Sequence, residues 1–239
     1  MAKIRLFIDH PLASGQDVLL IPAQAHYLSG VMRLKPGDGI TIFNGRDGEW
    51  SALITSAGKR GGHIEVQEQT APQRDPPDLW LIFAPIKKAR TDFIVEKATE
   101  MGAARIVPVQ TDFTNAERIR QDRLQAHAVE AAEQCGGTFV PPVEDLSPLS
   151  RLLDGWDPSR SILWADEAMA GPAQTLAGLS RGRWAILIGP EGGFSDAERN
   201  RLSRLRHVTR ISLGPRVLRA DTAAVAALTL WQAALGDWS

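Results

Sequence analysis

The sequence contains one cysteine, Cys135, so it can close no internal disulfide and build no cysteine-rich zinc site. Its five histidines (10, 26, 63, 127 and 207) share no short ligand spacing with one another or with that cysteine, and no metal is expected. No stretch approaches the roughly 20 consecutive apolar residues that a membrane-spanning helix needs. Residues 1–6 carry charge where a signal peptide would begin its apolar core, so a soluble, cytoplasmic chain with no membrane partner is expected. The common nucleotide and hydrolase loops are also missing. There is no Gly-Lys-Ser/Thr, no Gly-x-Gly-x-x-Gly and no Gly-x-Ser-x-Gly, which counts against a phosphate-loop hydrolase, a dinucleotide fold and a serine hydrolase. Nor is there a charge excess of either sign: 27 basic against 28 acidic residues gives a net charge of -1.

What is present is unevenly distributed. Nine arginines (181, 183, 199, 201, 204, 206, 210, 216 and 219) fall in one stretch that contains only Glu191, Asp196 and Glu198 as acids, whereas residues 112–167 are acidic. An arginine-laced, solvated helix face explains such a run as well as a phosphate-binding patch does. Residues 4–8, 17–21, 39–43, 50–54 and 63–66 are short β-branched runs bounded by turn residues, with one helix predicted over 22–33 behind Pro22. Asn44-Gly45 and Asp47-Gly48 predict a hairpin turn. Five short strands in so little chain suggest a small barrel over residues 1–71. Three prolines within residues 70–78 mark a linker.

From residue 78 to 239 the pattern changes to alternating strands and helices. Strands are predicted at 79–83, 105–109, 161–164 and 184–188, and helices at 89–101 and 122–135. Ser147 and Pro148 are expected to cap and open a further short helix. This alternation argues for an α/β domain built on a parallel sheet. Cys135, near a helix end, is expected to be a small buried residue.

Two loops point to chemistry. Gly189-Pro190-Glu191-Gly192-Gly193 follows a buried strand, and Ser195 with Glu198 then makes a capping-box pattern that starts a helix. Strand, glycine loop and helix N-terminus form a ligand site at the carboxyl edge of a sheet, and Glu191 suits hydroxyl or ammonium groups better than phosphate. The second loop is Leu213-Gly214-Pro215-Arg216-Val217-Leu218-Arg219, ahead of a long apolar helix that Asp221 or Thr222 could cap. Arginine opposes the positive end of a helix dipole, so Arg216 and Arg219 call for a negatively charged partner.

These two loops, in this order, resemble the paired signature of the ribosomal RNA small subunit methyltransferase E family. Leu34-Lys35-Pro36-Gly37-Asp38, Glu96-Lys97-Ala98-Thr99-Glu100-Met101-Gly102 and Glu133-Gln134-Cys135-Gly136 extend the likeness along the whole chain. The resemblance implies a PUA-like β-barrel followed by a SPOUT-type α/β domain with a trefoil knot, working as a homodimer. It implies S-adenosylmethionine as cofactor, and N3 of a uridine in 16S ribosomal RNA of the small subunit as target. Carried over, the cofactor residues are Leu163, Gly189, Glu191, Gly192, Gly193, Leu213, Gly214 and Leu218. Arg33, Lys87, Arg90 and Arg216 are the expected RNA contacts, and Arg219 would stabilise charge on the uracil oxygens. Asp221 is either a proton acceptor or a helix cap. The chain departs from the family pattern at Asp221, where glutamate is common, and at Gly137 and around Phe113, where arginine is usual. Alternatives are a related knotted methyltransferase acting on another RNA and a non-catalytic RNA-binding protein.

Overall fold

In the computed structural model, residues 4–58, 61–116, 118–169, 176 and 178–238 are described. They divide into two compact units, Met1–Asp75 with Ala132–Val140 and Pro76–Ala131 with Pro141–Ser239.

In the first unit, β1 (Arg5–Phe7), β2 (Asp17–Leu20), β3 (Gly39–Phe43), β4 (Glu49–Gly58) and β5 (Gly61–Ala71) form one sheet in the order β1-β3-β4-β5-β2. Alternating apolar residues turn Leu6, Val18, Leu20, Ile40, Ile42, Ile54 and Ile64 into a common core. β4 and β5 run well past the expected 50–54 and 63–66, because their far ends pair with each other outside the apolar stretch. β1 lies parallel to β3, a long-range pairing that no local pattern encodes. The expected helix begins at Pro22 as α1 (Pro22–His26) but continues as a π-helical turn over Tyr27–Val31. Arg33 follows it, exposed, in the left-handed region at φ 57°.

The β3–β4 turn forms as the sequence predicts, with Gly45 and Gly48 both at φ +79°, where L side chains are disfavoured. Asn44 Oδ1 accepts from the backbone N–H groups of Arg46 and Asp47. Asp47 Oδ2 accepts from Leu12 N at 2.9 Å and from Asn44 Nδ2 at 2.6 Å. The Leu12 N–H and then the Asn44 amide hold the Asp47 carboxyl below its ordinary pKa. A lowered folded-state pKa gives stability that is present above the unfolded value near 3.9 and is lost as the pH falls through the folded value. Asp47→Ala should therefore cost about 1–2 kcal/mol at neutral pH, with a smaller cost at pH 2–3, as read from urea melts at both pH values.

Residues 132–140, which the sequence pattern places with the second domain, are gathered into the first unit. There Arg5 donates to the carbonyls of Ala132, Glu133 and Gly137, and Glu133 Oε1 accepts from Phe7 N at 2.8 Å. Cys135 is exposed, contrary to expectation, because the helix turns its packed face away from that position.

The second unit carries β6 (Leu79–Phe83), α2 (Lys88–Glu100), β7 (Arg105–Gln110), α3 (Gln121–Cys135), β8 (Ser147–Pro148), α4 (Leu149–Asp154), β9 (Ser161–Ala165), β10 (Trp184–Ile188), α5 (Asp196–Arg204), β11 (Val208–Ile211) and α6 (Ala220–Leu235). The strands form a parallel sheet in the order β11-β9-β10-β6-β7-β8, and every residue of β10 is buried. From β6 the chain builds outward through β7 and β8, then returns to fill the other side. The switch point therefore lies between β6 and β10. The short helix expected behind Ser147 and Pro148 forms one residue later than predicted, with Pro148 as its N-cap. These two residues pair with Val109 and Gln110 as a two-residue strand, and α4 begins after Pro148. The α6 N-cap is Arg219, so neither Asp221 nor Thr222 caps that helix. Asp221 instead sits in its first turn, where a carboxylate faces the positive end of the dipole. Among the described residues no helix is long and apolar enough to cross a membrane.

Candidate active site

β9, β10 and β11 run parallel and end at Ala165, Ile188 and Ile211, which brings three loops to one edge of the sheet. The loop after β10 is fixed from behind by the capping box at α5. Ser195 Oγ accepts from Glu198 N at 3.3 Å, and Glu198 Oε2 accepts from Ser195 N at 2.9 Å. Glu198 Oε1 also accepts from Asp112 N at 3.0 Å, tying the loop after β7 to the same helix start. Phe113, in that loop, lies against Gly192, where an added Cβ would meet its side chain at 3.2 Å.

A cluster of ion pairs holds the loop after β9. The Asp166 side chain is fully buried and is paired with both Arg199 and Arg210. Arg199 Nη1 donates to Asp166 Oδ1 at 2.5 Å, its Nη2 pairs with Glu167, and its Nε donates to Phe194 O at 3.0 Å. One guanidinium thus joins the β9 loop, the end of the glycine loop and α5. Gly193 closes the arrangement at φ +70°, with its Cα so near Glu167 that an added Cβ would lie 1.9 Å from Oε1.

The three loops border a cleft lined by Ala165, Asp166, Glu167, Met169, Ile188, Gly189, Pro190, Glu191, Leu213, Gly214, Arg216, Val217, Leu218, Ala220 and Ala223. Of the residues expected from sequence to bind cofactor, Gly189, Glu191, Leu213, Gly214 and Leu218 lie on its wall. Gly192 and Gly193 shape the glycine loop without lining the cleft, and Leu163 is buried within β9, two residues before the strand ends. Arg216 lines the cleft, and Arg219 stands exposed at the start of α6. Asp221 is not on the cleft wall: it accepts from Thr222 N at 2.9 Å and pairs with Arg90 at 3.5 Å. Lys87 is exposed at the N-cap of α2.

The arginine run does not act as one patch. Arg199 and Arg210 are taken up by Asp166 and Glu167, Arg201 pairs with Asp154 at 2.7 Å, and Arg183 pairs with Asp157 at 2.6 Å and with Asp78. Arg216 and Arg219 form no ion pair among the described residues and remain available beside the cleft. Sequence reasoning missed Asp166, Glu167 and Met169 on the wall, and Arg199 and Arg210 behind it. Two acids directly after a buried strand, opposite an arginine excess, were the available signal.

Residues 73–232 match the family of the RNA methyltransferase domain, and residues 20–67 match the RNA methyltransferase PUA domain. The second unit is accordingly an RNA methyltransferase domain with the α/β fold of the SPOUT class, and the first, with its curled mixed sheet, a PUA domain. The ribosomal RNA small subunit methyltransferase E of Rickettsia conorii is 31% identical over 228 residues, covering 94% of this chain and 93% of that protein. That of Bacillus subtilis is 29% identical over 86% of each chain. This chain belongs to the ribosomal RNA small subunit methyltransferase E family. A crystal structure of the Neisseria gonorrhoeae member, bound to S-adenosyl methionine, superposes with a TM-score of 0.89 at 27% identity, covering 99% of this chain and 100% of that one. A Legionella pneumophila methyltransferase in complex with the same bound cofactor gives 0.88 at 28% identity, again covering 99% and 100%.

Proposed function

We propose that this protein transfers a methyl group from S-adenosylmethionine to N3 of a uridine in 16S ribosomal RNA of the small ribosomal subunit. The observation that carries this reading is the single cleft where the glycine loop and the Leu213–Leu218 loop meet, in a chain of this family. The residues fit the cofactor chemically. Ile188, Leu213, Val217 and Leu218 offer apolar walls for a purine, and carboxylates at the rim suit hydroxyl and ammonium groups. The wall residues named above would hold it, with Gly192 and Gly193 setting the loop's path.

Bound there, S-adenosylmethionine would supply an already activated methyl group. The remaining work falls on the chain, which must present the nucleophile in line, exclude the wrong atoms and manage one proton. A uridine N3 is hidden within a base pair, so the target base must be unpaired or flipped out. Arg219, exposed at the start of α6, would stabilise negative charge developing on the uracil oxygens, and Arg216 would hold phosphate. Arg33 and Lys87 are exposed and suited to RNA contact, whereas Arg90 is engaged with Asp221. Residues 1–71 would serve as the RNA-binding barrel and residues 78–239 as the catalytic domain. A homodimer in the cytoplasm, acting on the rRNA or the small subunit, completes the reading.

The test is methylation of small subunits by the purified protein, with the modified nucleoside and its position mapped by mass spectrometry. Modification at uridine N3 of 16S rRNA supports the proposal, and modification of another base or RNA overturns it. Arg219→Ala should lower kcat about a hundredfold while S-adenosylhomocysteine affinity, read by calorimetry, stays within twofold.

A further inference from the structure

A second cleft opens at the switch point of the sheet, between the loops that follow β6 and β10. It is lined by Pro85, Ile86, Lys87, Asn115, Ala116, Pro190 and Glu191. Pro190 and Glu191 also line the cofactor cleft, so the two spaces border one another at this short piece of the glycine loop. In open parallel sheets, the crevice beyond the carboxyl ends of the strands at the switch point is where ligands bind. Resting on the proposed methyl transfer, we infer that this second cleft receives the target pyrimidine base and that Glu191 takes up its imide proton.

Three observations support the assignment. First, methyl transfer needs its two reactants in contact, and the two clefts adjoin at Pro190 and Glu191, the residues common to both linings. Second, the polar groups match a uracil edge. An imide presents two carbonyl acceptors around one N–H donor, and the cleft offers the Lys87 ammonium and Asn115 amide as donors and the Glu191 carboxylate as acceptor. Third, these charges are uncommitted. Many acids and bases of this unit pair off, but neither Lys87 nor Glu191 forms an ion pair among the described residues, although both line one cleft. Asp221, the proton acceptor suggested by sequence, lies outside both cleft walls and is tied to Arg90.

The step balances without a further reagent. The N3–H proton passes to a Glu191 carboxylate oxygen, and the N3 electron pair forms the new N–CH3 bond. The pair of the broken S–CH3 bond stays on sulfur, leaving neutral S-adenosylhomocysteine. Glu191 then returns its proton to water. Lys87 offsets negative charge on a uracil oxygen while the imide proton is leaving.

Three variants test this in the full-length protein: Glu191→Gln, Ala116→Trp to fill the second cleft, and Asn115→Ala as a mild truncation. Calorimetry with S-adenosylhomocysteine, kcat and KM for small subunits, and photocrosslinking to subunits carrying 4-thiouridine would each be measured. Glu191→Gln should weaken S-adenosylhomocysteine only a few-fold, because its amide still reaches the cofactor cleft, while kcat falls about a hundredfold. Ala116→Trp should lose more than tenfold in crosslink yield at unchanged S-adenosylhomocysteine affinity, and Asn115→Ala should raise KM more than it lowers kcat. If Glu191→Gln weakens S-adenosylhomocysteine in proportion to its lost turnover, the carboxylate belongs to the cofactor and the assignment fails. Wild-type kcat/KM in Ala116→Trp and Asn115→Ala would likewise overturn it while leaving the methyltransferase reading intact. A wild type inert toward both cofactor and subunit would remove both.

Discussion

Arg199→Ala is expected to destabilise the methyltransferase unit by about 3–5 kcal/mol, a larger loss than any other truncation around the cleft. The Asp166 carboxylate is wholly buried, so removing Arg199 leaves it with Arg210 alone. Glu167 and the Phe194 carbonyl lose their donors in the same substitution. Arg199→Lys should recover only part of the loss, because an ammonium is a point charge and cannot reach both carboxylates and a carbonyl at once. Urea unfolding would show a shifted midpoint at constant slope, the mark of changed stability and not of a changed denatured state. A loss below 1 kcal/mol would mean that the ion pairs decorate the loops without holding them.

Gly193→Trp should abolish S-adenosylhomocysteine binding, a loss of at least about a thousandfold, or ~4 kcal/mol. The position resists any side chain on two counts. Its φ of +70° is costly for an L-residue, and the first carbon added would strike the Glu167 carboxylate. Glu167 cannot retreat freely, because Arg199 holds it. The glycine loop must therefore shift, carrying Gly189 and Glu191 out of the cleft wall. Gly193→Ala should show the same effect in smaller measure, about tenfold. Adding Glu167→Ala to that variant removes the collision but not the backbone cost, so binding should return in part. Calorimetry on the four proteins of this cycle separates the two contributions. Undiminished affinity in Gly193→Trp would show that the loop does not bound the cofactor site.

Much of the site could be read from local sequence because its signals are local. The Ser195–Glu198 capping box, the glycine loop behind an apolar strand and the Leu213–Leu218 loop each fit within a dozen residues, and each formed where expected. What escaped depends on partners far along the chain. Asp166 reads as one more surface acid until Arg199 and Arg210, 33 and 44 residues away, are brought to it. For the same reason the arginine run looked like a patch, although several of its members are neutralised by acids outside the run. Ser147-Pro148 has the composition of a helix start, and α4 does begin there, but the pair also adds a short rung to β7, so the cap falls on Pro148 and not on Ser147. Asp221 suited a cap by type, but the helix begins one residue earlier, at Ala220.

The proline-rich segment around residues 72–78 invites division of the molecule into two autonomous pieces. The allegiance of Ala132–Val140 argues against it. A fragment ending at Asp75 would leave the Arg5 guanidinium without the carbonyls of Ala132, Glu133 and Gly137, and the Phe7 N–H without its carboxylate. The barrel is completed by chain synthesised more than fifty residues after its own last strand, which ends at Ala71. On the ribosome, it cannot mature before much of the catalytic domain has emerged. Its evolutionary exchange for another RNA-binding module would have to bring that late segment along.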